Sequence, residues 1–179
     1  AEGMVRVENC ESPYSASKLA GEALIHASRR VYGMDFVIVR FSNVYGMYDD
    51  SDRVIPLWIR QCLNHEELVV FGREKVLDFT YIDDIVEGTI RAIERPVPYD
   101  IFNLGNSNSV GLMDFIRIIE EELGQEAEKE LMPLQPGDVP ETMADIERSR
   151  ECLGFNPRTP LREGIRAFVA WYRTYYAIP

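Results

Sequence analysis

The residues of this sequence with the clearest chemical potential are Tyr14 and Lys18, within residues 12–22. Ser12 is a good helix N-cap and Pro13 suits the first helical position, so a helix is predicted to begin here. Residues four positions apart lie on one helix face, about one turn from each other. An ammonium one turn away favours the phenolate form of a tyrosine, which lowers its pKa toward neutrality. The pair is therefore a candidate acid and base at a hydroxyl or carbonyl carbon, although the same spacing also occurs on ordinary surface helices.

The elements that must position this pair are a long helix and the strand after it. The helix is predicted over residues 14–32, and the strand over residues 36–41, whose continuous apolar run is typical of a parallel strand covered on both faces. A further short strand is predicted at residues 68–72. The helix has one small, apolar face, which is predicted to pack against the sheet: Leu19, Ala20, Ala23, Leu24 and Ala27.

Helical spacing continues along the rest of the chain. A helix is predicted to begin near Ile55, and Asp83 or Asp84 is predicted to cap the next one. Ser109 is predicted to cap a third helix, which Gly124 ends. A closing helix follows residue 160.

Composition limits the possible functions. With 179 residues, 46% of them hydrophobic, the chain is one domain or a large part of one. A net charge of −11 argues against a nucleic-acid or anionic-membrane partner, and no apolar run approaches the length of a membrane span. Three widely spaced cysteines and two histidines predict reduced thiols, a cytoplasmic location and no metal site.

The order of these motifs resembles the extended short-chain dehydrogenase/reductase family, in particular its NAD-dependent nucleotide-sugar epimerases and dehydratases. The resemblance rests on Tyr14-x-x-x-Lys18, the apolar run 36–39 and the segment 40–43, Arg-Phe-Ser-Asn. It implies an α/β fold of Rossmann type, with Tyr14 and Lys18 as the catalytic and NAD-contacting pair. Phe41 and Ser42 would complete the nicotinamide site, and NAD would take and return the hydride at C4 of the sugar.

The resemblance also implies a set of substrate-binding residues. Relatives commonly carry an arginine at the position of Leu77, where it grips the diphosphate, so Arg73 or Lys75 in the preceding loop is the candidate to replace it. Asp138 is expected to contact the ribose of the nucleotide, with Gln135 close by. The implied substrate-binding set is Asn43, Arg53, Ile55, Lys75, Gln135 and Asp138.

Two signals about the sugar conflict. The run 132–142, which contains Gln135-Pro136-Gly137-Asp138, looks most like the UDP-glucuronate 4-epimerases. Those enzymes usually have a threonine at the position of Asn43 and then a Pro-Trp-Gly-Arg turn, whereas this chain has the acidic turn 49–52 with Arg53 in another register. The leading hypothesis is 4-epimerisation of UDP-glucose or UDP-glucuronate. A 4,6-dehydratase, a decarboxylase, and a noncatalytic nucleotide-sugar-binding or dimerisation module are the alternatives.

A dinucleotide-binding turn is not found in this sequence, because no two of its glycines are separated by a single residue. In relatives that turn precedes the Tyr-x-x-x-Lys helix, so the chain is expected to correspond to the C-terminal portion of an epimerase. Residues 1–46 would belong to the Rossmann core, and residues 47–179 mainly to the substrate lobe, with strand 100–104 returning to the core. Alone, the chain is expected to be inactive and to retain NAD poorly. Its expected partners are the nucleotide sugar, a second copy through helix 14–32, and a separate N-terminal half.

Overall fold

The computed structural model describes residues 6–49, 53–95 and 99–178, in which helices and strands alternate. A short 3₁₀ helix at Val7–Asn9 precedes them. The helices are α1 (Pro13–Tyr32), α2 (Val54–Leu63), α3 (Ile82–Glu94), α4 (Leu112–Leu123), α5 (Glu147–Leu153) and α6 (Leu161–Tyr175). The strands are β1 (Phe36–Phe41), β2 (Asn43–Tyr45), β3 (Leu68–Phe71), β4 (Val76–Tyr81), β5 (Tyr99–Leu104), β6 (Ser109–Gly111) and β7 (Lys129–Met132).

The sheet that supports α1 is a parallel pair. β1 and β5 run in register from Phe36 opposite Tyr99 to Phe41 opposite Leu104. Two parallel strands need a long crossover, and here it contains two helices and three strands. The pairing agrees with the predicted α/β fold of Rossmann type. Only Ile38 of β1 is fully buried, so the strand is covered less completely than its apolar sequence predicts.

The remaining strands form two further small sheets. β4 lies between β2, which is parallel to it, and β6, which is antiparallel. The segment 140–142 extends this sheet, since Val76 N–H donates to the Pro140 carbonyl and Thr142 N–H to the Val76 carbonyl, both at 3.0 Å. β3 pairs with β7 in parallel. The segments that flank β4 are thus far apart from one another in sequence.

Two groups of buried side chains form the core. The larger group joins α2, α4 and α6 to the sheets, and the fully buried Trp58, Phe115 and Phe168 belong to it. The smaller group packs Ile85 against Leu104, Ile146 and Phe155. None of the helices within the described ranges is long and apolar enough to cross a membrane.

Two predicted helix caps are wrong. α3 begins after Tyr81, and Asp84 is buried inside its first turn, where its carboxylate accepts hydrogen bonds from the backbone N–H groups of Arg158 (3.0 Å) and Thr159 (3.1 Å). Ser109 belongs to β6, and its hydroxyl donates to the Thr142 carbonyl. In both cases a distant backbone segment competes successfully with the local helix terminus for the side chain.

The predicted packing face of α1 is also wrong. Of its five residues, only Leu19 is partly covered, and Ala20, Ala23, Leu24 and Ala27 are exposed. α1 contacts β1 through a different stripe, which includes Glu22 and His26. The His26 ring meets Phe36 edge-on at 5.1 Å between centroids. The periodicity of small and apolar residues predicted the helix but did not show which of its faces packs against the sheet.

Candidate active site and nucleotide-sugar cleft

The helix that carries the tyrosine–lysine pair starts as its sequence predicts. Ser12 and Ser15 form a reciprocal capping box: the Ser12 hydroxyl accepts from Ser15 N–H at 3.2 Å, and the Ser15 hydroxyl from Ser12 N–H at 3.1 Å. Pro13 occupies the first turn, and Gly33 ends the helix in a left-handed conformation. These caps fix the first turn of α1, and with it the position of Tyr14.

Tyr14 and Lys18 lie together on the exposed side of α1. Lys18 Nζ lies over the Tyr14 ring, 5.2 Å from its centroid, so the ammonium contacts the face of the phenol. The Tyr14 side chain is 70% exposed. An exposed phenol in contact with an ammonium can exchange a proton with a hydroxyl group that docks against this side of the helix.

Phe41 and Ser42 end β1 and lead to β2. Phe41 is half exposed, whereas Ser42 is tied to the sheet: its N–H donates to the Leu104 carbonyl at 3.0 Å and its hydroxyl to the Asp78 carbonyl at 2.7 Å. The next residue, Asn43, donates its amide to the Asp78 carbonyl (2.9 Å) and to the Thr142 hydroxyl (3.3 Å). This turn is therefore held rigidly at the end of the sheet.

A cleft of about 320 Å³ opens beside this turn. Its lining includes all six residues that the sequence assigned to the substrate, and they come from four separate parts of the chain. These residues are Asn43, Arg53, Ile55, Lys75, Gln135 and Asp138. Apolar walls separate them, and sequence reasoning missed most of these: Val44, Val54, Trp58, Val69, Phe71, Leu77, Phe79 and Leu112.

The charged groups of the cleft are paired. Lys75 Nζ donates to the Asp138 carboxylate, and Arg53 Nε lies 3.5 Å from Asp49 Oδ1. Of the acidic turn 49–52, only Asp49 lies within the described residues. Ile55 is 4% exposed, so it serves as a core residue as well as part of the cleft wall.

The four residues assigned to catalysis and the nicotinamide do not line this cleft: Tyr14, Lys18, Phe41 and Ser42. A close approach nevertheless links the two regions. The backbone of Gly137, next to Asp138, comes so near the cap of α1 that a Cβ on this glycine would lie 3.8 Å from Ser12 Cβ. The first turn of α1 and the turn that carries Asp138 are therefore neighbours.

Asp78 is a central residue that sequence reasoning did not identify. It is fully buried, and its carboxylate accepts backbone hydrogen bonds from Asn106 (3.0 Å), Ser107 (3.0 Å) and Ala144 (2.9 Å). A signal was present, because an aspartate between Leu77 and Phe79 must be paired if its strand is buried. Its partners could not be read from the sequence.

No cluster of three or more potential metal ligands occurs among the residues that the structure describes. The three cysteines are free thiols, and burial raises the pKa of the Cys62 thiol to about 11. Since the thiolate is the reactive form, the buried Cys62 is not a candidate nucleophile.

Comparison with known proteins agrees with this geometry. Residues 4–105 match the family model described as the NAD dependent epimerase/dehydratase family. The match covers more than half of the sequence, and the chain belongs to this family.

Individual relatives are similar along nearly all of the chain. An uncharacterised protein of Methanocaldococcus jannaschii is 38% identical over 168 residues, which is 93% of this chain and 52% of that protein. A UDP-glucuronate 4-epimerase of Thermodesulfobacterium geofontis is 34% identical, with the same two shares. The chain thus spans about half the length of the curated relatives it matches.

A solved structure gives the same picture. It is a point mutant of the UDP-glucuronic acid 4-epimerase of Bacillus cereus, in complex with UDP-4-deoxy-4-fluoro-glucuronic acid and NAD. The TM-score is 0.90 at 30% identity, over 98% of this chain and 56% of the other. The Rossmann-type fold is therefore shared with an NAD-binding UDP-sugar enzyme.

Proposed function

We propose that this chain contributes the acid–base pair and the nucleotide-sugar cleft of an NAD-dependent UDP-sugar 4-epimerase. The observation that carries the proposal is the cleft itself. Residues 43, 53–55, 75, 135 and 138 are scattered in sequence, yet they line one pocket beside the cap of the Tyr14 helix. The pocket offers charged groups for a diphosphate and apolar walls for a base and a sugar, as nucleotide sites do.

The residues present fit one end of the cofactor. Tyr14, Lys18 and Phe41 are exposed, with a cation and two aromatic rings to offer to a nicotinamide riboside. The turn that would hold the pyrophosphate requires glycines in a spacing that this chain does not contain. Bound NAD supplies a reversible hydride acceptor for the sugar carbon.

In the proposed reaction Tyr14 takes the proton of the sugar 4-hydroxyl and later returns it. Lys18, whose ammonium contacts the ring, would assist both proton transfers and hold the nicotinamide ribose. The carbon first loses and then regains hydride, so atoms and electrons balance over the cycle. Return of the hydride to the opposite face of the ketone inverts C4.

The identity of the sugar is proposed from the relatives and the charges of the cleft. UDP-glucuronate is favoured by several relatives named UDP-glucuronate 4-epimerase. Against it, Arg53 is already paired with Asp49, which leaves the cleft without an unmatched cation for a sugar carboxylate among its described residues. UDP-glucose is therefore the second candidate substrate. A 4,6-dehydratase or a decarboxylase of the same family would share the cleft and differ in residues outside it.

A second function is a noncatalytic nucleotide-sugar-binding or dimerisation module. This alternative is favoured because the chain contains the nucleotide-sugar cleft but not glycines in the spacing of a dinucleotide-binding turn. Free thiols are typical of cytoplasmic proteins, so we infer a cytoplasmic location for both candidate functions, the epimerase and the noncatalytic module.

Calorimetric titration of the purified chain tests the cleft. We expect UDP and the UDP-sugars to bind and NAD to bind much more weakly. Tighter binding of UDP-glucuronate than of UDP-glucose would identify the glucuronate as the preferred sugar. Tighter binding of dTDP than of UDP would identify thymidine, rather than uridine, as the nucleoside of the substrate. Stoichiometric NAD in the purified protein would contradict the expected weak retention, and failure of every nucleotide to bind would remove the cleft assignment.

Reconstitution tests the chemistry. The chain is mixed with a separately produced glycine-rich half of a relative, and epimerisation of the UDP-sugar is measured. We expect Tyr14→Phe to lower the rate by about 10²–10⁴-fold, the usual contribution of a positioned acid or base. Tyr32→Phe is the matched control, because Tyr32 is an equally exposed tyrosine on the same helix. Equal activity of the two variants would refute the role of Tyr14.

A further inference from the structure

The charges that line the cleft cancel in pairs. Among the lining residues that the structure describes, the two cations are Arg53 and Lys75 and the two anions are Asp49 and Asp138. Each cation contacts one of these anions. A dianionic diphosphate therefore enters a cleft whose positive charge is already matched, and it must replace a carboxylate to gain a strong ionic contact.

Lys75 is the fixed member of its pair. The backbone N–H of Lys75 donates to the Gly72 carbonyl at 2.9 Å. The backbone carbonyl of Lys75 accepts at 2.8 Å from the N–H of Leu112, which begins α4. The side chain is only 13% exposed, so its ammonium is largely removed from water. Such a group needs a contacting anion at all times, because an unpaired, partly buried charge is costly.

Asp138 is the replaceable member. It lies in an exposed turn, where its N–H donates to the Gln135 carbonyl at 3.1 Å and Gly137 has a φ of +86°. The Asp138 side chain is 39% exposed, three times the fraction of Lys75. Its carboxylate can turn toward water at little cost, whereas the lysine cannot.

We propose that Lys75 binds the diphosphate of the nucleotide and that Asp138 is its exchangeable counter-ion in the empty cleft. This rests on the proposed function and deepens it. Binding exchanges one ion pair for another: the diphosphate takes the place of the carboxylate on Nζ, and the released carboxylate is available to ribose hydroxyls. Asp138 thus weakens the binding of a bare diphosphate but favours a diphosphate that carries a nucleoside.

Titration with inorganic pyrophosphate and with UDP separates these two effects. Asp138→Asn leaves Lys75 without its counter-ion, so pyrophosphate should bind about three- to tenfold more tightly, and UDP should gain less because a ribose contact is lost. Lys75→Met should weaken both ligands by about tenfold or more, and Lys75→Arg should restore binding. Asp114→Asn, an equal charge change on the exposed side of α4, should change neither affinity.

The double variant Lys75→Met/Asp138→Asn completes the cycle. The gain from Asp138→Asn should vanish in the Lys75→Met background, because the exchange acts only through this lysine. A gain that persists there, or no gain with pyrophosphate in the single variant, overturns the exchange. If UDP binds while Lys75 and Asp138 variants leave pyrophosphate affinity unchanged, the proposed function stands and only the exchange fails. If neither ligand binds wild type or Asp138→Asn, both fail.

Discussion

At the scale of single residues, one buried carboxylate ties distant segments of the chain together beside the cleft. Asp78 joins β4 to the turn after β5 and to the segment that follows Thr142. Each hydrogen bond to an ionised acceptor contributes about 1.5–3 kcal/mol when made and costs more when a buried partner is lost. The backbone of Gly105 is packed against this carboxylate, so there is no room for a side chain at position 105.

Gly105→Ala is predicted to destabilise the chain. A Cβ at this position would lie 2.3 Å from Ala144 Cβ and 3.2 Å from Asp78 Oδ2, and overpacking of this kind costs about 1–3 kcal/mol. Urea unfolding followed by circular dichroism measures the loss. Gly21→Ala is the matched control: nothing lies within 4 Å of its added Cβ, and α1 should gain about 0.5–1 kcal/mol. Equal effects of the two substitutions would show that crowding around Asp78 is not decisive.

At the scale of elements, α1 is held against β1 mainly by an ion pair and less by buried apolar side chains. No residue of α1 is fully buried. Arg40, on β1, donates two hydrogen bonds to the Glu22 carboxylate, from Nε at 2.7 Å and from Nη2 at 2.6 Å. These hydrogen bonds from Arg40 hold the pKa of Glu22 below its ordinary value of 4.5. The orientation of the helix that carries Tyr14 therefore depends on a group that titrates.

Arg40→Met is predicted to lower stability in a pH-dependent way. Because the pKa of Glu22 is lower in the folded chain, the stabilisation is complete above about pH 4.5 and is lost as the pH falls through the folded value. The variant should lose about 1–3 kcal/mol at pH 7 and progressively less in acid. Urea unfolding across this range measures the difference from wild type. Arg30→Met, an exposed arginine on the same helix, should have little effect at any pH, and a pH-independent loss for Arg40→Met would contradict the assignment.

At the scale of the whole molecule, α1 presents an apolar face that none of the described residues 6–49, 53–95 and 99–178 covers. Leu24 and Val31 are 69% and 70% exposed, and Ala20, Ala23 and Ala27 lie exposed along the same helix. Small side chains allow another helix to approach closely, and contiguous exposed apolar surface marks an interaction site. A second copy of the chain, or a separate N-terminal half, remains the predicted partner for this face.

Ala23→Glu is predicted to weaken self-association. We expect the wild-type chain to form dimers at micromolar concentration and the variant to shift toward monomer, because a carboxylate would be buried at the helix contact. Sedimentation velocity over a concentration series measures the shift. Ala167→Glu places the same charge at an exposed alanine of α6 and should leave the dimer unchanged. A wild-type chain that stays monomeric throughout would exclude a dimer through α1.

The sequence by itself determined the features that depend on neighbouring residues. The capping box at Ser12 and the left-handed glycines after α1 and α4 act within one or two turns, so those helix boundaries could be predicted. The residues that α4 and α6 bury recur at helical spacing, which is likewise a local property of the sequence. The resemblance of short motifs supplied the family and the six cleft residues.

Only the tertiary structure decided the features that depend on distant partners. The strands β2, β4 and β6 are three to six residues long, and they are stabilised by one another rather than by their own sequences. Asp84 and Ser109 bond to segments far along the chain instead of capping the helices that follow them. The stripe of α1 that meets the sheet is chosen by Arg40 and Phe36, and the Lys75–Asp138 pair spans 63 positions. Local sequence determines where a helix can begin and end, but the partner of a buried or charged group depends on which segments the fold brings together.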